Sequence, residues 1–173
     1  TKGGMTYEFG AKEIVKGSGY ISRQCCGSTE IELGTVYAAE MGITLLSDID
    51  RYTLEDALVT LVFHLVLADG SVEDVPMGVF EVSEANRLAK CLELKAYDFM
   101  LRFDKSFNGF ETVGTAYDFI ALCCKRCKVE FANKRAEIDA MPNGGVTLSV
   151  YTENDIETCR DVLFYLSLIH ISE

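Results

Sequence analysis

From about Gly19 to Phe99 the pattern is mostly an alternation of apolar and polar residues, and from about Thr115 onward the apolar residues recur every three or four instead. A period near two puts alternate side chains on opposite faces of a strand, and a period near 3.6 draws one stripe along a helix. A chain that changes period once is expected to be α+β, with strands and helices segregated. In Tyr37 to Leu46 one face is Tyr37, Ala39, Met41, Ile43 and Leu45, with Glu40 and Thr44 opposite, which predicts a half-buried strand. In Leu58 to Leu67 one face is Val59, Leu61, Phe63, Leu65 and Leu67 and the other is mixed. That run predicts a central strand, or one covered on both sides.

Asp69-Gly70 reads as a tight turn into a second arm that opens with Val75-Pro76-Met77-Gly78. Pro76 has no N–H to donate and belongs at a strand's start or edge, and Gly78 permits a bulge before Val79 to Ala85 resumes alternation. Asn86-Arg87 is expected to make the next reversal, ahead of a strand with Leu92, Leu94 and Ala96 on one side and Glu93 and Lys95 on the other. Short antiparallel strands in succession, with a bulge near one corner, predict a curled antiparallel β-sheet or small β-barrel.

Thr115 and Asp118 have the spacing of a capping box, and behind them Ala116, Ile120, Cys123 and Cys127 share one helical face. A second helix is expected from about Asn154, with Glu157 three residues on and Ile156, Cys159, Leu163 and Leu166 as its stripe. Pro142-Asn143-Gly144-Gly145 makes a turn before a short strand in Val146 to Tyr151. The expected division is a β-rich domain over residues 1–110 and a mainly helical segment, of two or three helices, over 111–165.

Sixteen basic against twenty-seven acidic residues give a net charge of −11, which disfavours binding nucleic acid through its phosphates. The longest apolar run, Leu58 to Ala68, is too short to span a bilayer as a helix. Seven cysteines cannot all pair internally, and a chain with 49% apolar residues has core enough without disulfide staples. Reduced thiols and synthesis inside the cell follow as expectations.

Cys123-Cys124-Lys125-Arg126-Cys127 is the sharpest local candidate for chemistry, since a Cys-x-x-Cys step supplies two thiolates to a metal or to redox exchange. Further ligands would have to come from Cys25, Cys26, Cys91, Cys159 or His64, and none of these forms a second compact pair. The step also falls in the middle or end of a helix, where the dipole does not lower a thiol pKa. Packing as small hydrophobes is the expected role of these cysteines, with a cysteine-ligated metal module as the alternative. His64 sits inside a strand without an evident nucleophile, and His170 is the only other histidine. Asp48 to Tyr52 lacks the glycine and closing glutamate of a calcium loop, and Lys16 to Gly19 lacks the phosphate-loop spacing. The residues identify no active site and call for no cofactor.

Several segments together resemble the N-terminal part of phage tail hub proteins, the tail-tip family that includes tail-associated lysins and prophage tail endopeptidases. They are Gly19-Tyr20-Ile21-Ser22-Arg23-Gln24, then Glu32 through Glu40, and the hairpin from Asp69-Gly70 through Val75-Pro76-Met77-Gly78-Val79-Phe80. Leu94-Lys95-Ala96-Tyr97-Asp98, Phe103-Asp104-Lys105, Asn154-Asp155-Ile156-Glu157 and Arg160-Asp161 follow in order, to about Tyr165. The resemblance implies a virion structural protein of the tail tip, made in the bacterial host cytoplasm, whose hub domain is of curled β-barrel type. Three copies would close a ring continuous with the tail tube. Its implied partners are itself as a homotrimer, the distal tail protein and the tape measure protein, and DNA would pass through without specific binding. In longer members a peptidoglycan-cleaving or fibre-bearing region follows, so no catalytic residue carries over. The segment Val75, Pro76, Met77 and Gly78 is the candidate assembly interface, because it bends the sheet and limits pairing at an edge.

Residues 166–173, Leu166 to Glu173, read instead as a translated adapter sequence of the kind used in DNA library preparation. They are expected to be a non-native tail, with the natural reading frame cut there.

Overall fold

A computed structural model describes residues 1–24, 36–108, 112–151 and 155–171. The chain forms two compact units, one of Thr1–Arg23 with Ala38–Phe99 and the other of Gln24–Tyr37 with Met100–Glu173.

The first unit is an antiparallel sheet that curls strongly, as a half-barrel. Its strands are β1 (Tyr20–Ser22), β2 (Glu40–Leu46), β3 (Leu58–Val66), β4 (Val72–Leu88) and β5 (Cys91–Tyr97), in the spatial order β1-β2-β5-β4-β3. A short helix α1 (Arg51–Leu54) precedes β3, and Asp50 caps it by accepting the Tyr52 N–H at 3.0 Å. The alternation read in the sequence is the alternation that buries: Met41, Leu45, Phe80, Val82, Leu92, Leu94 and Ala96 all point into one core. The curled antiparallel sheet predicted from periodicity is present, in a chain that is α+β.

Two local expectations about the sheet need correction. Leu58 to Leu67 is not a central strand; β3 lies at the sheet's edge and pairs only with β4. An apolar run signals burial only if neighbours cover it, and here β5 pairs with β4 from Glu81 to Leu88, leaving the rest of the hairpin uncovered. Asn86-Arg87 does not reverse the chain either. Both stay in β4, and the two-residue turn comes at Ala89 and Lys90, with Ala89 at φ +54°. The slip has a cause: the β4–β5 register shifts between Val82 and Glu84, so Ser83 is an extra residue that throws the alternation out of step. Arg87 instead sends its guanidinium to the carbonyls of Ser47, at 2.8 Å, and Ile49.

The second unit is built on α2 (Ala116–Cys127), α3 (Arg135–Asp139) and α4 (Cys159–Ile171), with a small ladder of β6 (Val113–Gly114) and β7 (Leu148–Ser149) and a 3₁₀ turn at Phe99–Asp104 that runs into it. Phe107, Phe119, Cys123, Cys159, Val162 and Leu166 are among its buried residues. The strand expected over Val146 to Tyr151 is shortened to β7. The last helix starts at Cys159 rather than near Asn154, which lies outside the described residues. Thr158 and Asp161 win the cap: the Asp161 carboxylate accepts from the Thr158 N–H at 2.8 Å and its hydroxyl at 2.9 Å.

The box at the start of α2 forms as the sequence predicts, with the Thr115 N–H donating to Asp118 Oδ2 at 2.9 Å. Arg135 of α3 pairs with the same carboxylate and lies 4.5 Å over the Tyr117 ring. Bonds from Arg135 and then Thr115 hold the Asp118 carboxyl down at about 2. A carboxylate lowered in the folded state contributes stability that is complete above its ordinary value near 4 and is lost as the pH falls toward 2. Asp118→Asn should therefore cost about 1 kcal/mol at pH 7, a figure discounted for partial exposure. Variant and parent should melt alike near pH 2, which thermal unfolding at the two pH values checks.

Candidate functional site

Above the point where β5 stops, β3 and β4 continue alone as a two-stranded arm, Leu61 to Val66 against Val72 to Gly78. The arm closes at Ala68, Asp69 and Gly70. Leu67 C=O accepts the Gly70 N–H at 3.0 Å, Gly70 takes φ +83°, and Asp69 Oδ1 accepts from the Ser71 N–H at 2.9 Å. This is a three-residue hairpin loop with glycine where a left-handed residue is required.

The candidate interface Val75 to Gly78 lies in the arm's second strand. Leu61 pairs with Gly78 but Val62 pairs with Pro76, so Met77 is an extra residue and the bulge falls where the sequence placed it. Gly78 takes φ +132°, and a Cβ there would meet the Phe80 ring at 3.2 and 3.4 Å. Gly78→Ala should cost about 2 kcal/mol, from backbone strain and the close approach, read as a lower urea midpoint. Arg23 fixes the bulge from outside, donating from Nη2 to the Met77 carbonyl at 2.6 Å.

Segments quoted for the family resemblance meet one another in the first unit. Tyr20 Oη donates to Glu40 Oε1 at 2.6 Å, Lys95 Nζ reaches Glu40 Oε2 at 3.2 Å, and Lys95 lies 5.4 Å over the Tyr97 ring. The Tyr20 bond, then Lys95, lowers the Glu40 carboxyl; the same bond raises the Tyr20 phenol. In the second unit Arg160 gathers Asp104, at 2.6 and 3.0 Å, with the carbonyls of Val36 at 3.0 Å and Met100 at 3.2 Å. Lys105 accepts through its carbonyl from the Cys159 N–H at 2.9 Å. Cys25, Cys26 and the residues from Glu32 to Thr35 lie outside the described residues.

Cys123, Cys124 and Cys127 line the buried face of α2, with Cys159 at the start of α4 in the same cluster. Burial raises the Cys124 thiol, pushes Cys127 up to about 12, and drives Cys123 in the same direction, with Cys159 beside them adding to the effect. Such thiols stay protonated and make poor nucleophiles. Among the described residues, no group of three or more His, Cys, Asp or Glu is arranged to hold a metal ion. A cleft of about 410 Å³ in this unit is lined by Phe119, Val150, Val162 and Leu166, with Asp155 among its few polar groups.

Sequence reasoning missed one pair. His64 Nδ1 lies 2.5 Å from Asp74 Oδ1, both exposed on the arm. The signal was the hairpin loop, which sets His64 opposite Asp74 once Val66 is paired with Val72. Among the described residues no helix is long and apolar enough to cross a membrane. No family model, curated protein or solved structure matches the chain.

Proposed function

We propose that the chain is a virion structural protein, the N-terminal part of a phage or prophage tail-tip hub. The observation that carries this reading is the ordered succession of hub-like segments, taken with a curled five-stranded sheet whose arm is bent by Val75 to Gly78. In this reading the work is architectural, not enzymatic: three copies close a ring that continues the tail tube, between the distal tail protein and the tape measure protein. The net charge of −11 supports the same reading, since a negative lumen lets DNA slide through without adhering. Any peptidoglycan-cleaving activity would reside in sequence beyond Glu173.

The test is to read the encoding DNA across the codons for Tyr165 to Glu173 and on into the flanking genes. A frame that runs into a second β-rich domain, beside genes for long helical and tube-like proteins, supports the hub. A stop codon directly after Glu173 among unrelated genes defeats it.

A further inference from the structure

Lys105 ties the end of α2 to the start of α4. Its ammonium donates to the Arg126 carbonyl at 3.1 Å, and its own carbonyl accepts the Cys159 N–H at 2.9 Å. One residue thus holds both the backbone beside Cys127 and the backbone of Cys159. Inside this brace the Cys159 thiol lies within hydrogen-bonding reach of both Cys127 and Cys123. All three are free thiols.

The two neighbours of Cys159 differ in what surrounds them. Cys123 is 0% exposed and sits one turn inside α2, where the helical bonds on either side fix its backbone. Cys127 is 5% exposed and is the last residue of α2; Lys128 after it turns left-handed, at φ +56°. A disulfide needs its Cα atoms within about 4.4–6.8 Å of each other, and helix ends shift and fray more readily than helix interiors. Burial raises the Cys127 thiol, while the Lys105 ammonium works the other way and favours the thiolate that exchange requires.

We propose that Cys127 and Cys159 form an oxidation site, closing a disulfide that joins α2 to α4 when the protein meets a disulfide oxidant such as oxidised glutathione. When the end of α2 opens, Cys127 gives up its proton and its thiolate attacks one sulfur of oxidised glutathione, expelling one glutathione thiolate. Cys159 gives up its own proton, attacks the Cys127 sulfur and expels the second. Two protein thiols are oxidised, one glutathione disulfide is reduced, and the two protons end on the two glutathione thiols. The new bond closes residues 127–159 into a loop that carries α3 and β7, which restricts the unfolded chain more than the folded one. This goes beyond the hub reading and does not need it: synthesis inside the cell leaves the thiols reduced, and the bond belongs to an oxidising medium met afterwards.

The test takes the full chain with its thiols reduced, incubates it with oxidised glutathione, alkylates it and digests it with trypsin without reduction. Cleavage after Lys125, Arg126, Lys128 and Arg160 puts Cys127 on a different peptide from Cys123 and Cys124, so mass spectrometry tells the partners apart. The expected product is Cys127-Lys128 linked to the peptide that ends at Arg160, in a chain whose second unit unfolds at a higher urea midpoint than before oxidation. The same oxidation in concentrated urea should scatter the bonds among the seven cysteines. Cys91, half-buried in the first unit, reports that the reagent is active. The proposal is overturned if Cys159 links to the Cys123 and Cys124 peptide instead, or if Cys127 stays unlinked once Cys91 is fully modified. An unchanged urea midpoint overturns it too, as does the same pattern of links in urea, since the fold would not then be selecting the pair.

Discussion

Replacing Phe80 with alanine should remove about 3–5 kcal/mol from the stability of the first unit. Phe80 is 1% exposed and packs in the core that holds Met41, Val82 and Leu92. It sits opposite Val59 in the ladder, and its ring closes on Gly78. The truncation leaves a cavity where the sheet proper becomes the arm, so both lose packing together. Hydrogen exchange gives the local readout: amides of Val59, Leu61, Phe80 and Val82 should lose protection, while those of α2 and α4 keep theirs. A loss under about 1 kcal/mol in urea unfolding would mean the core closes over the gap.

Gly144→Ala should cost the second unit about 3 kcal/mol. An added Cβ would lie 2.0 Å from the Ile138 carbonyl oxygen and 3.1 Å from Asp139 Cα. Both are backbone atoms with no rotamer to escape into, so the turn behind α3 must shift. The Gly144 N–H bond to the Met141 carbonyl, at 2.9 Å, shifts with it. The neighbouring glycine supplies the control. At Gly145 the nearest atom to an added Cβ is the Asp139 oxygen at 4.0 Å, and Gly145→Ala should fall within about 0.5 kcal/mol of the parent. If the two variants unfold at the same urea concentration, the steric account of Gly144 is wrong.

What was legible in the sequence followed from period and caps. Met41, Leu92, Leu94 and Ala96 were on the predicted faces because an alternating strand with one buried side can only sit one way round. Thr115 and Asp118 form their box because the interaction is local. Long-range facts were not legible. That β3 lies at an edge depends on where β5 stops, and that Asn86 and Arg87 continue β4 depends on the extra residue Ser83. Before the last helix the reading from Asn154 and Glu157 passed over Asp161, which bonds both Thr158 groups. In the candidate site the bulge was readable from Pro76 to Gly78, and its outer brace was not. Arg23 is 54 residues from Met77, and no local pattern announces such a bond.

The thiol arrangement gives each unit its own reporter. The chain contains no tryptophan, so intrinsic fluorescence is a weak probe of unfolding. Cys123, Cys124, Cys127 and Cys159 are buried in the second unit, whereas Cys91 is half-buried at the first residue of β5. An alkylating reagent reaches the four only when the second unit opens, so pulse labelling resolved by mass measures how often that unit breathes. Labelling at Cys91 measures fraying where β5 begins, and the two clocks run on the same molecule.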